Sequence, residues 1–228
     1  MIPGFVVAFV VIFINGALVA LGTDIFKVIA IPFGFVANLT NSWIGLMIIY
    51  LLTQLLWIVG IHGANIIFAF VNPIALANMA ENAAGGHYAV AGEFSNMFVI
   101  AGGSGATLGL CLYIAFAAKS EQLKAIGRAS VVPALFNINE PVIFGYPIVY
   151  NISLIIPFIL TPALGIIIAY AATAMHFMNE CVVYIPWTTP PLLSGYLATA
   201  GDWRAILVQA LILILGAVSY THLRAHET

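Results

Sequence analysis

Residues 137–147 read NINEPVIFGYP, two asparagines, a glutamate, two prolines and a glycine in a chain that is 63% hydrophobic and 6% charged. A soluble domain carries about a quarter charged residues, so these 228 residues lack the charge to cover a water-facing surface. Placing an ionised side chain at the centre of a membrane helix costs about 2.5–3.5 kcal/mol on insertion scales. Asn137, Asn139 and Pro141 around Glu140 preclude a regular helix there. The stretch therefore reads as broken backbone, with free N–H and C=O groups and two side-chain amides directed into one small volume. Such a collection suits a ligand rich in hydroxyls, because each hydroxyl both donates and accepts. The competing reading is a carboxylate that caps a nearby helix N-terminus in a tight turn.

Outward from this stretch the chain is a series of apolar runs, several reaching the roughly 20 residues that cross a bilayer. Ile2 to Gly22 carries no charge and lacks the basic start and cleavage site of a secretory signal, so it reads as a span. Asp24 to Asn41 mixes polar and apolar residues and suits an interfacial helix. Trp43 to Ile61 is a second span. Asn65, Asn72, Pro73 and Asn78 interrupt residues 62–80, which read as a re-entrant hairpin sheltered by protein or a water-filled cavity. Phe94 to Ala118 is apolar around Gly102-Gly-Ser-Gly105. No GK[ST] follows that loop, which excludes a Walker motif and leaves close packing through small residues. Lys119 to Arg128 holds three of the six basic residues and reads as a cytoplasmic loop. Ile152 to Met178 is a long run that Pro157, Pro162 and Gly165 kink without ending. Tyr184 to Pro191 is proline-broken, and Trp203 to Val218 is the final span. The expectation is an all-α polytopic membrane protein, with transmembrane helices, re-entrant hairpins and a polar site at the midplane. The last ten residues, 219–228, differ in composition and are expected to be a non-native or read-through tail, so His222 and His226 are set aside.

Three groups of residues qualify for chemistry. Glu140 with Asn137 and Asn139 comes first. His62 lies between Gly60 and Gly63, where the backbone can turn sharply, although a lone histidine on an apolar face is commonly a satisfied core residue. Trp57, five residues earlier, suits either a sugar face or the interfacial belt. Trp187 and Thr188, framed by Pro186 and Pro190, carry the same two readings. Asp24, Glu81, Glu93, Glu180 and Asp202 sit near expected helix or loop ends, where solvation accounts for them. His87 and His176 are left unassigned. Cys111 and Cys181 lie in apolar surroundings and read as small buried hydrophobes. No zinc motif or second carboxylate at glycosidase spacing is present, so no metal and no cofactor is expected. The net charge of −2 and the absence of a basic patch exclude a nucleic-acid partner. The residues alone describe a transporter whose polar site is built from broken segments.

Asn137-Ile-Asn-Glu-Pro-Val-Ile-Phe-Gly145 resembles one family, together with Gly102-Gly-Ser-Gly-Ala-Thr-Leu-Gly109 before it and Pro186-Trp-Thr-Thr-Pro-Pro191 after it. That family is the membrane C component of bacterial phosphotransferase-system sugar permeases of the lactose/cellobiose/diacetylchitobiose type. Gly60-Ile-His-Gly63 falls where the family has its own histidine, and the resemblance covers roughly residues 1–215. It implies a multi-pass protein of the bacterial cell membrane that carries a β-linked disaccharide inward. A partner B component then phosphorylates the sugar at a 6-hydroxyl. The phosphoryl-carrying cysteine is expected on that B component, fed by an A component, so the chain is a transporter subunit of a sugar phosphotransferase. The resemblance implies that Glu140 and His62 hold the sugar near the reacting hydroxyl, with Glu140 as orienting group or base. It further implies that Trp187 and Trp57 contact the sugar, with Asn137, Asn139 and Thr188 beside them. Members of the family are longer and begin with additional spans, which are expected to supply much of a homodimer interface. The chain is thus expected to be the C-terminal, substrate-binding part of a C component over residues 1–218. The rival from the residues is a cation-coupled sugar transporter using Glu140 and His62 as a proton relay.

Overall fold

The computed structural model describes residues 2–23, 25–146 and 148–224. Asp24 and residues 225–228, which include His226, lie outside them, as do the side chains of residues 222–224. Residues 1–38 form one compact unit and residues 39–228 a second. Among the described residues the ordered elements are all helical. In the first unit, α1 (Ile2–Ala20) is charge-free and apolar on every side. Its Phe5, Phe9 and Phe13 are 80%, 74% and 72% exposed, which a water-facing helix does not tolerate and a membrane helix does. α2 (Ile25–Thr40) runs across the boundary between the units.

The second unit contains α3 (Trp43–Ile58), α4 (Gly63–Ala83), a π-helical turn at Ser95–Val99 and α5 (Leu108–Ala117). It continues with α6 (Glu121–Leu135), α7 (Glu140–Gly145), α8 (Ile152–Ala174), α9 (Leu193–Ala198) and α10 (Trp203–Arg224). Among the described residues three helices are long and apolar enough to cross a membrane, Gly63–Ala83, Ile152–Ala174 and Trp203–Thr221. The protein is a polytopic helical membrane protein, with large apolar side chains such as Phe116 and Ile152 turned outward.

Two sequence expectations change. Residues 63–83 form one continuous helix rather than a hairpin, with Pro73 inside it. A proline in an apolar helix forfeits one backbone hydrogen bond, a loss that neighbouring groups can absorb. The asparagines mark faces of α4 and not breaks: Asn78 donates to Asn41 Oδ1 at 2.7 Å and to the Val90 carbonyl at 2.8 Å. Within the Lys119–Arg128 stretch, α6 begins at Glu121, with Ser120 at its N-cap position and Glu121 paired to Lys124 at 2.6 Å. The kinked run does continue as one helix, α8, through Pro157 and Pro162.

α10 organises the core, packing along α8, α5 and α9. Gly109 of α5 lies so close to α10 that a Cβ there would stand 2.5 Å from the Ala217 Cα. The buried Gln209 of α10 uses its whole amide. Its Oε1 accepts from the Leu192 and Gly195 N–H groups at 2.9 and 3.0 Å, and its Nε2 donates to the Met97 carbonyl and Ser194 Oγ at 2.9 and 2.8 Å. Residues 219–224 continue α10. Tyr220 is buried and donates to the Gly105 carbonyl at 2.7 Å. Cys111 and Cys181 are free and buried.

Candidate functional site

The NINEPVIFG stretch is a helix stop joined directly to a helix start. α6 ends at Leu135, and the Ile138 and Asn137 N–H groups return to the Pro133 and Ala134 carbonyls at 3.0 and 3.1 Å. These are the paired bonds of a Schellman motif, whose C′ residue takes a left-handed conformation. Asn137 fills that position with φ +62°, as asparagine tolerates better than most residues. Two residues later Asn139 begins α7, with Glu140 in its first turn and Pro141 where the missing N–H costs nothing.

The asparagine amides hold the surrounding loops. Asn137 Oδ1 accepts from the Gly102 N–H at 2.7 Å, and its Nδ2 donates to the Trp187 carbonyl at 2.6 Å. Asn139 Nδ2 donates to the Ser104 carbonyl and Thr107 Oγ1, each at 2.6 Å. Gly103 must be glycine on two counts: its φ is +93°, and a Cβ would stand 2.3 Å from Asn139 Cγ. The GGSG loop is therefore a seat for the NINEP turn, the packing role expected from its small residues.

Glu140 so placed meets His62. Its Oε1 lies 3.4 Å from His62 Nε2, with the two side chains 43% and 40% exposed. His62 is also the N-cap of α4, where its Nδ1 accepts from the Asn65 N–H at 3.2 Å. Nδ1 is thus engaged at the helix end, and Nε2 faces the Glu140 carboxylate. Trp57 packs on the imidazole with ring centroids 4.2 Å apart, fixing its plane. Trp57 is itself buried, which removes the interfacial-belt reading.

These groups surround a cavity of about 320 Å³, within the range of small-molecule sites. Trp57, His62, Asn137, Asn139, Glu140 and Trp187 all line it. Thr188, beside Trp187, is not among the lining residues. Among the described residues Glu140 Oε2 and Trp57 Nε1 have no protein hydrogen-bond partner, one an acceptor and the other a donor. Sequence reasoning missed Asn65, Asn72, Asn96 and Ser104 on the same wall. The signal for two of them was present: Asn65, Phe68, Ala69 and Asn72 repeat at the i, i+3, i+4, i+7 spacing of one helix face. Reading residues 62–80 as a hairpin hid that face.

Two carboxylates assigned to solvation are buried instead. Burial pushes the Glu93 carboxyl up, against the opposing donation from Asn96 at 2.6 Å. For Asp202, burial acts upward but is outweighed by the Arg204 side chain and by the backbone N–H groups of Asn179 and Arg204, leaving its pKa lowered.

The profile of the family described as "Phosphotransferase system, EIIC" matches residues 1–162, which include both His62 and Glu140. The chain belongs to this family. It is 33% identical over 204 residues to the cellobiose-specific EIIC component of Lactococcus lactis, covering 78% of this chain and 41% of that protein. It is 40% identical over 177 residues to the lichenan permease IIC component of Bacillus subtilis, covering 73% and 38%. It is 37% identical over 195 residues to the lactose-specific EIICB component of Staphylococcus aureus, covering 82% and 34%. The crystal structure of ChbC, the IIC component of the N,N'-diacetylchitobiose-specific system, superposes with TM-score 0.82 at 36% identity, covering 97% of this chain and 54% of ChbC. The chain thus spans about two fifths of the length of the curated relatives.

Proposed function

We propose that the chain forms the sugar-binding part of a C component of a phosphoenolpyruvate-dependent phosphotransferase system in the bacterial cell membrane. It takes a β-linked disaccharide of the cellobiose, diacetylchitobiose or lactose class and presents a 6-hydroxyl to a partner B component. The meeting of Glu140 and His62 at a polar cavity walled by two tryptophans carries this reading. Indole faces cover the apolar faces of sugar rings, while the amide and carboxyl edges pair with hydroxyls. The named relatives, with their cellobiose, lichenan, lactose and diacetylchitobiose specificities, support the same class.

In the transfer the sugar oxygen attacks the phosphorus of a phosphocysteine on the B component, itself recharged through an A component. The P–O bond forms as the P–S bond breaks, the thiolate leaves, and the hydroxyl proton passes to the Glu140 carboxylate. His62, whose Nε2 faces that carboxylate at 3.4 Å, positions it beside the hydroxyl. A homodimer of the longer protein completes the assembly. Glu140→Gln should keep sugar binding within a few-fold and lower phosphotransfer from a phosphorylated B component by about 10²–10⁴-fold. Normal transfer by this variant would remove the base role. Delivery of unmodified sugar by a proton gradient would replace the whole reading with cation-coupled transport.

A further inference from the structure

A second polar cluster lies at the other end of α4. His87 Nδ1 stands 3.2 Å from Glu180 Oε1, and His176 Nδ1 stands 3.6 Å from the same oxygen. The three ligand atoms all lie within 4.8 Å of one another. Around a tetrahedral zinc ion with bonds of about 2.0–2.1 Å, ligand atoms sit about 3.3–3.4 Å apart. Two edges of the triangle are therefore close to coordination length already.

The backbone holds each member in place. α4 and α8 both end in Schellman motifs, the first directly before His87 and the second containing His176. In α4 the Gly85 and Gly86 N–H groups return to the Asn82 and Glu81 carbonyls at 3.0 and 2.8 Å. In α8 the His176 and Phe177 N–H groups return to the Thr173 and Ala172 carbonyls at 2.9 and 2.8 Å. The C′ position, left-handed in both, is filled by glycine in α4 (Gly85, φ +99°) but by His176 in α8 (φ +56°). A β-carbon is disfavoured at such a position, where glycine is the usual occupant, so the imidazole stands there against local preference.

Asn82 clamps the residue after His87, accepting from the Tyr88 N–H at 2.7 Å and donating to the Tyr88 carbonyl at 2.9 Å. The same amide reaches the Cys181 carbonyl at 3.4 Å. On the other side of Glu180, the Asn179 N–H donates to Asp202 at 2.8 Å. Glu180 is thus anchored on both flanks. The negative ends of two helix dipoles point toward the cluster and favour a cation there. A cavity of about 320 Å³ beside it, also lined by Tyr88, Tyr170 and Thr173, leaves room for further water ligands.

We propose that His87, His176 and Glu180 bind a divalent transition-metal ion of the zinc type. Two imidazole nitrogens and one carboxylate oxygen form the donor set, with the remaining position open to solvent. The ion would clasp the ends of α4 and α8 together. The helix α4, 21 residues and therefore about 30 Å long, separates this clasp from the sugar cavity at its other end.

The test is a Co²⁺ titration of the chain in detergent after chelator treatment, followed by visible absorption and thermal melting, with Zn²⁺ as displacing ion. One Co²⁺ per chain is expected, with ligand-field bands that Zn²⁺ abolishes and a higher melting temperature. His176→Gly suits the left-handed position and should melt no lower than wild type without metal, yet bind at least tenfold more weakly. Glu180→Gln should show the same weakening. No stoichiometric uptake by the folded wild type would overturn the proposal. So would equal uptake by wild type and His176→Gly, which assigns the metal to other histidines of the chain.

Discussion

Asn137 concentrates three tasks in one side chain: it ends α6 in a left-handed turn, holds the Gly102 amide and holds the Trp187 carbonyl. Leaving a buried donor or acceptor without its partner costs about 1–3 kcal/mol. Asn137→Ala should therefore destabilise the chain by about 2–4 kcal/mol, since two groups lose their partner and alanine suits the positive φ less well. Asn137→Gly relieves the backbone but restores neither bond, so it should recover only part of the loss. Melting of both variants in detergent checks this, and full recovery by glycine would mean that the amide bridges contribute nothing. At this scale the sequence exposed Glu140 because a carboxylate in apolar surroundings is costly. It did not reveal that the asparagine amides are spent on backbone, because that depends on loops distant in sequence.

At the scale of elements, α10 is the helix on which the others are registered. Gln209 satisfies two N–H groups at the start of α9 and a carbonyl of the π-helical turn. Gln209→Leu keeps the volume and strands those groups, so a loss of about 2–4 kcal/mol in a melting series is expected. The start of the same helix carries a pH response. Asp202 Oδ1 accepts from the Arg204 N–H at 3.0 Å and from Arg204 Nε at 2.9 Å, so its folded pKa is lowered. Its contribution is complete above the ordinary aspartate range near pH 4 and is lost as pH falls through the folded pKa. Wild type should exceed Asp202→Asn by more than about 1 kcal/mol at neutral pH, because asparagine keeps one acceptor for Arg204 but loses the charge and the oxygen that accepts from the Asn179 N–H. A melting series read as the difference between the two should show that gap closing on acidification, and a gap constant from pH 7 to pH 3 would contradict the assignment. Apolar length made α8 and α10 legible from the sequence. α4 was misread because its asparagines and Pro73 resemble interruptions, when Asn65 and Asn72 share the cavity-facing side of the helix, Asn78 bonds from another side to Asn41 and Val90, and the proline is absorbed.

For the molecule as a whole, the proposed sugar cavity draws on segments that nothing in the sequence joins: the end of α3, the first half of α4, the GGSG loop, the NINEP turn and Trp187. Local patterns gave the end of α3, the GGSG loop, the NINEP turn and Trp187 but not the face of α4, and only the motif resemblance brought those four together before the structure did. A site assembled this way couples ligand to fold. Any sugar that bridges these segments binds the folded chain and not the unfolded one, adding RT ln(1 + [L]/Kd), or about 2.7 kcal/mol at one hundred times Kd. For a chain of this size that corresponds to a rise in melting temperature of about 5–10 °C. Cellobiose, diacetylchitobiose and lactose, titrated separately, should rank by this rise in the order of their affinities. Trp57 and Trp187 line the cavity, so tryptophan fluorescence should change over the same concentration range. Trp187→Ala should shrink both responses while leaving the unliganded melting temperature close to wild type, because Trp187 is 46% exposed and the bond it accepts from Asn137 uses only its backbone. A rise that survives Trp187→Ala unchanged would place the sugar elsewhere on the protein.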